Sequence, residues 1–145
     1  MVALRQLCTF YLDEHFFGVD ALTVQEVIRY QEMTKVPLTP DCVSGLINLR
    51  GQIVTAIDMR KRLGFADAAP DKLPMNVVVR GDDGAVSLLV DRIGDVIEVS
   101  QADFETPPNT LQGPARDLIQ GAYKLNGKLL LVLNTQEAIQ VSSFE

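Results

Sequence analysis

Apolar positions along the chain come in short runs separated by turn-forming residues, with no sustained helical period. Residues 7–12 (LCTFYL) carry Phe10 and Tyr11, stop at Asp13 and Glu14, and resume at Phe16 (FFGVD), which is the pattern of a hairpin with the two acids at its tip. Residues 76–80 and 85–91 flank Asp82-Asp83-Gly84, and residues 121–125 and 128–134 flank Asn126-Gly127, a pair that tolerates the positive φ of a tight primed turn. Leu88 to Val90 and Leu129 to Leu133 are unbroken apolar runs. Strict alternation fails there, so these strands are predicted to be covered on both faces. Several such hairpins in one chain predict a mainly β fold of small barrels packed against each other.

Helical signals are brief. Thr39 and Pro40 make a cap and first-turn pair for a helix that Gly45 would end, and Asp58 caps a helix through Arg62 that ends at Gly64. Asn134 and Glu137 have capping-box spacing ahead of Ala138 and Ile139. Residues 66–74 (ADAAPDKLP) and 105–116 (ETPPNTLQGPAR) read as flexible breaks. Between them all, residues 45–63 (GLINLRGQIVTAIDMRKRL) set Asn48, Arg50 and Gly51 between two apolar runs, where Gly51 is expected to turn the chain from a short helical segment into a buried strand.

At 145 residues the chain is expected to be one domain, 1–145, long enough to bury roughly 68–70% of its extended surface. A net charge of −6 argues against nucleic acid, which needs a basic face, and the short run Arg60-Lys61-Arg62 reads as a solvated helix face. Cys8 and Cys42 are too few and too unpatterned for a disulfide framework or a zinc site, and are expected to be reduced and partly buried. No apolar run approaches the length of a membrane span, and the N-terminus lacks a signal-peptide core, so a cytoplasmic protein with no membrane insertion is expected.

Candidate chemistry is sparse. His15, the one histidine, sits at a predicted hairpin tip and reads as an exposed turn residue. Gly45 to Gly51 lacks the ending of a phosphate-binding loop. Glu26, Asp58 and Asp91 would have to converge to serve a hydrolase or a small-molecule-binding barrel, whereas acids that cap helices or close strands are commoner. No catalytic residue, metal or cofactor is expected, which leaves surfaces for other proteins. Two stretches supply candidates. In 19–30 (VDALTVQEVIRY), Ala21 to Val24 reads as an irregular turn and Gln25 to Tyr30 as a strand, with Ile28 in the core and Val24 the better surface position. In 94–100 (GDVIEVS), Gly94 and Asp95 are expected to break a strand before the apolar Val96.

Three stretches in order, FGVDALTVQEVI, GLINLRGQIVTAIDMR and LLVDRIGDVIEV followed by a proline-containing loop, give the chain a resemblance to the CheW family of bacterial chemosensory coupling proteins. The resemblance covers nearly the whole length. It implies two SH3-like five-stranded β-barrel subdomains sharing a hydrophobic core, with short helices, and a non-catalytic scaffold joining the cytoplasmic hairpin tip of a methyl-accepting chemoreceptor to the regulatory domain of a CheA-type histidine kinase. A role in a non-flagellar pathway, such as twitching, surface sensing or second-messenger control, is compatible with the same residues. The family's receptor-facing groove falls on Val24, Glu26, Val27 and Val96, where an amphipathic receptor helix would lay apolar side chains on the valines, with Glu26 and Arg50 fixing register at the rim. Asn48, Arg50, Gly51 and Asp58 map onto a coupling or inter-barrel position. Arg50 there serves either the receptor or the fold, by binding Glu26, Asp58 or backbone carbonyls. Residues 104–110 (FETPPNT) lie where some relatives make a second kinase contact. Phe104, Glu105, Asn109 and Thr110 would carry it, although acidic and polar residues stand here in place of basic and aromatic ones. Thr55 stands where many relatives have proline.

Overall fold

β1 (Leu4–Leu12) and β2 (His15–Asp20) form the expected first hairpin, with Leu12 opposite His15 and Asp13 in the left-handed region at φ 53°. The chain then crosses through a 3-10 turn, Ala21–Thr23, into β3 (Val24–Ile28), β4 (Val43–Leu49), β5 (Gln52–Asp58), the short helix α1 (Met59–Arg62), β6 (Met75–Gly81) and β7 (Gly84–Val90). It returns through β8 (Arg92–Ser100), α2 (Pro114–Leu118), β9 (Ile119–Leu125), β10 (Lys128–Leu133) and α3 (Thr135–Ile139). This computed structural model describes residues 3–140, so residues 1–2 and 141–145, the ends of the domain expected over 1–145, lie outside the described residues.

The strands make two five-stranded sheets, ordered β8-β1-β2-β10-β9 and β3-β6-β7-β5-β4. Each fits an SH3-like subdomain, although its end strands are not hydrogen-bonded to each other into a closed barrel. The first sheet combines the N-terminal hairpin with the last three strands, and β10 lies parallel to β2. The second sheet is one contiguous stretch, Val24–Val90, inserted between the two parts of the chain that complete the first.

The shared core explains the missing alternation. Val77 and Val79 of β6, Leu88 and Val90 of β7, Phe10 and Leu12 of β1, and Leu131 and Leu133 of β10 all enter one cluster fed by both sheets. The intervening residues face the other way: Leu130 and Val132 join a cluster within the first sheet, and Val78 one within the second. Strands buried on both faces need apolar residues at consecutive positions.

Three local expectations are corrected. Residues 39–42 form a turn, and Val43 already begins β4, so the helix expected from Thr39 to Gly45 is absent. The Thr39 hydroxyl donates to the Val36 carbonyl at 3.0 Å. Gly45 lies at a bulge in β4, where a Cβ would stand 2.7 Å from the Thr34 carbonyl oxygen, so close backbone approach and not helix termination requires glycine. The expected break at Gly94 and Asp95 is a bulge instead, since β8 runs on to Ser100 while its register against β1 shifts between Cys8 and Phe10. In the β9–β10 turn only Gly127 of the Asn126-Gly127 pair has positive φ, at 72°. α1 does form where expected, with the Asp58 carboxylate accepting from the Arg60 N–H at 2.9 Å and the Lys61 N–H at 3.4 Å.

Candidate functional site

β3 and β8 are end strands of different sheets, and each carries an exposed valine. On β3 the register against β6 skips one residue, so Val24 pairs with Val79, Glu26 with Val78 and Val27 with Val77. Cross-strand partners share a face. The bulge therefore places Val24 and Val27 on the side of Val77 and Val79, which enter the shared core, and turns Glu26 and Ile28 toward the side of Val78. A strand without the bulge would separate Val24 from Val27. Val24 is half-buried against the core, and Val27 is 39% exposed. Ile28 packs partly buried beside Ile47 and Val78.

On β8 the register forms the row Val96, Cys8, Val19. Val19 is fully buried in the shared core and Cys8 packs against it, so Val96 extends that face to the open edge, where it is 59% exposed. The β8 bulge is held by the Thr9 hydroxyl, which donates to the Asp95 carbonyl at 2.5 Å, while Gly94 lies over Thr9 with no room for a side chain. Both valines thus continue the faces that enclose the shared core. The intervening crossing is stiffened by Asp20, whose carboxylate accepts from the Leu22 N–H at 3.0 Å, and Leu22 itself is 85% exposed.

Arg50 and Gly51 form the two-residue loop of the β4–β5 hairpin, closed by Leu49 opposite Gln52, with φ of 53° and 88°. Two consecutive positive φ values are what a type I′ turn requires. The Asn48 side-chain oxygen accepts from the Gly51 N–H at 2.9 Å. The expectation that Gly51 joins a helical segment to a strand is corrected accordingly. From this turn the Arg50 guanidinium reaches Glu26 and forms an ion pair. Hydrogen bonding to Arg50 is the main reason the Glu26 carboxyl lies below its usual range, and the same bond raises Arg50. Glu26 and Arg50 both belong to the second sheet, so their pair does not join the sheets, as the inter-barrel placement would require. Asp58 is occupied as the α1 cap.

The polar junction between sheets lies elsewhere and involves a residue read from sequence as solvated. Arg60 is 8% exposed. Its guanidinium donates to both carboxylate oxygens of Asp91, to the Asp13 carboxylate and to the Ala66 carbonyl. Burial pushes the Asp91 carboxyl up, but the Arg60 hydrogen bonds, the Asp13 N–H and the guanidinium charge prevail and hold it below its usual range. Arg62 donates to the carbonyls of Glu137, Ala138 and Gln140 at the end of α3, which leaves Lys61 as the exposed residue of the basic run. No periodic pattern separates these arginines from surface ones.

Glu26, Asp58 and Asp91 do not form one carboxylate set. Asp58 and Asp91 line a cleft of about 720 Å³ with Asp13, Arg60, Lys61 and Lys72, but Glu26 is outside it. His15 is exposed at the tip and stacks on Phe65 with centroids 5.2 Å apart. Cys8 and Cys42 are free and partly buried, and burial pushes both thiols up. Among the described residues no helix is long and apolar enough to cross a membrane.

Residues 104–110 are partly tied down. Glu105 pairs with Ala122 of β9 through two backbone hydrogen bonds of 2.9 Å, and the Phe104 ring lies over Gly121, with its centroid 5.4 Å from that of Tyr123. Asn109 and Thr110 are exposed. A surface not anticipated from sequence surrounds Ile53, which is 61% exposed and lines a cleft of about 600 Å³ with Thr55, Val86, Ile139 and the acids Asp82 and Asp83. Thr55 pairs with both Leu46 and Val86, so β5 is continuous there.

Comparison with known proteins shows a match to the CheW-like domain over residues 6–143. The chain is 32% identical over 133 residues to the chemotaxis protein CheW of Treponema pallidum, covering 89% of this chain and 78% of the relative. It is 29% identical to the chemotaxis protein CheW of Rhizobium meliloti, over 89% of this chain and 83% of the relative. The crystal structure of the scaffolding protein TtCheW from Thermoanaerobacter tengcongensis superposes with a TM-score of 0.86 at 28% identity, covering 99% of this chain and 97% of that one.

Proposed function

Since the chain belongs to the CheW-like family, we propose that it is a non-catalytic scaffold of chemotaxis signalling, coupling a chemoreceptor's cytoplasmic hairpin tip to the regulatory domain of a CheA-type histidine kinase. The observation that carries the reading is the pair of exposed valines, Val27 and Val96, each on the end strand of a different sheet and each continuing a face of the shared core. An amphipathic helix laid against these edges buries apolar side chains on Val27, Val96 and the half-buried Val24, as helix-in-groove recognition does. Arg50 and Glu26 lie on the other side of the β3 bulge, where their exposed ion pair supplies register at the rim more than affinity.

The scaffold acts in the cytoplasm, at receptor arrays, and needs no cofactor. Asn109 and Thr110 offer exposed polar groups for a second kinase contact, whereas Phe104 and Glu105 are partly engaged with β9. The exposed valines serve a flagellar or a non-flagellar receptor equally.

Binding of the purified protein to a receptor signalling-tip fragment and to a kinase regulatory domain, measured separately by calorimetry, tests the reading. Binding to both is expected, with Val27→Glu impairing only the receptor arm. Absence of both interactions at micromolar protein would sink it.

A further inference from the structure

Arg60 holds together three parts of the chain that are distant in sequence. β7 ends at Val90 and β8 starts at Arg92, so Asp91 is the single residue between the second sheet and the return to the first. The Arg60 fork grips it bidentately, Nε donating to Oδ1 at 2.8 Å and Nη2 to Oδ2 at 2.5 Å. Nη2 also reaches the Asp13 carboxylate in the β1–β2 turn, and Nη1 donates to the Ala66 carbonyl at 2.9 Å. The clamp is cross-braced: the Asp13 N–H donates to Asp91 Oδ2 at 2.7 Å, and the Asp91 N–H to the Tyr11 carbonyl at 3.0 Å.

Burying a guanidinium is costly, and an apolar side chain of similar volume often stabilises a fold as well. What a planar, multiply bonded fork adds is orientation: the three segments must meet at one set of angles for its bonds to form together. The strand whose departure is set in this way is β8, which carries Val96 five residues beyond Asp91. The other exposed valine, Val27, sits on β3 in the sheet that α1 follows directly from β5.

We infer that Arg60 is a positioning residue for the receptor-facing edges: its grip on Asp91 and Asp13 fixes the direction in which β8 leaves the crossing and hence the separation of Val96 from Val27. The inference rests on the proposed role of those valines, and one measurement is independent of it. Spin labels at the exposed Gln25 of β3 and Glu98 of β8, in a Cys8→Ser/Cys42→Ser background, report the separation of the two edges in the free protein. Arg60→Lys keeps the positive charge but loses the bidentate fork. It is expected to broaden the distance distribution, and without labels to weaken receptor-tip binding by roughly twofold to thirtyfold, the range over which residues outside a site modulate coupling.

Should Arg60→Lys fail to fold, Asp13→Asn removes one exposed arm of the clamp and is expected to act in the same direction. A lowered Tm with an unchanged distance distribution would show Arg60 to be structural only and overturn the inference. A broadened distribution with unaltered receptor affinity would overturn it as well. If the unmutated protein fails to bind the receptor tip, the proposed function fails, and the inference falls with it even where the distances respond.

Discussion

A methyl group at Gly121 is the most informative small perturbation of the region proposed for a second kinase contact. Its Cβ would meet the Phe104 ring, with Cε1 at 2.7 Å, and would also press on the Glu105 carbonyl, which as backbone has little room to yield. Keeping residues 104–105 in place against such overpacking costs about 1–3 kcal/mol. Releasing them loses two backbone hydrogen bonds, each contributing about 1 kcal/mol. It also loses the buried part of Phe104, which is 39% exposed as it stands, for about 1–2 kcal/mol more. The Glu105–Lys124 pair, at 3.5 Å with both side chains largely exposed, adds little. Release therefore caps the cost at about 3–4 kcal/mol, and Gly121→Ala is expected to cost about 2–3 kcal/mol. For a chain of this length that lowers Tm by roughly 5–10 °C. Thermal denaturation combined with hydrogen exchange checks the reasoning: the Glu105 and Ala122 amides should lose protection while the core strands keep theirs. An unchanged Tm with both amides still protected would refute the close packing on which the estimate depends.

Three further outcomes are expected. Arg50→Glu sets two acids side by side at the rim, so receptor coupling in a reconstituted kinase assay should be abolished, while Tm changes little because the pair is exposed. Asp91 contributes stability above its unfolded pKa, near the ordinary value of 3.8, and that contribution is lost as pH falls through its lower folded value; urea melts below about pH 4 should decline less steeply for Asp91→Asn than for the unmutated protein. Leu88→Ala empties a fully buried position in the core shared by both sheets, so it should cost about 2–5 kcal/mol in one cooperative denaturation transition rather than in two separate steps.

The hairpins were legible because their turns are written locally: the polar and turn-forming residues Asp13-Glu14, Asp82-Asp83-Gly84 and Asn126-Gly127 interrupt apolar runs, and all three sites became turns between paired strands. The doubly covered strands were legible for a similar reason, since the consecutive apolar residues Leu130 to Leu133 need two cores. What escaped the sequence depends on distant partners. Gly45 looks like a helix end until the Thr34 backbone is seen against it, and Gly94 looks like a strand break until Thr9 is found beneath it. Nothing in the run marks Arg60 as buried; its acids lie 47 and 31 positions away. Arg50 was recognisable as unusual, but its partner among Glu26, Asp58 and backbone was a matter of geometry, and the fold selects Glu26. On β3 a single extra residue in the register decides which side chains share a face, and no local signal marks it.

The central claim is that Val24, Val27 and Val96 receive a receptor helix, and methyl NMR tests it most directly. With the valine and isoleucine methyls labelled, titration with the receptor signalling-tip fragment should shift or broaden Val27 and Val96 first, and Val24 with them. Ile53 and Val86, beside the acidic cleft of the second sheet, should stay in place. Movement of Ile53 and Val86 with Val27 and Val96 unaffected would contradict the account and place the receptor on the other surface.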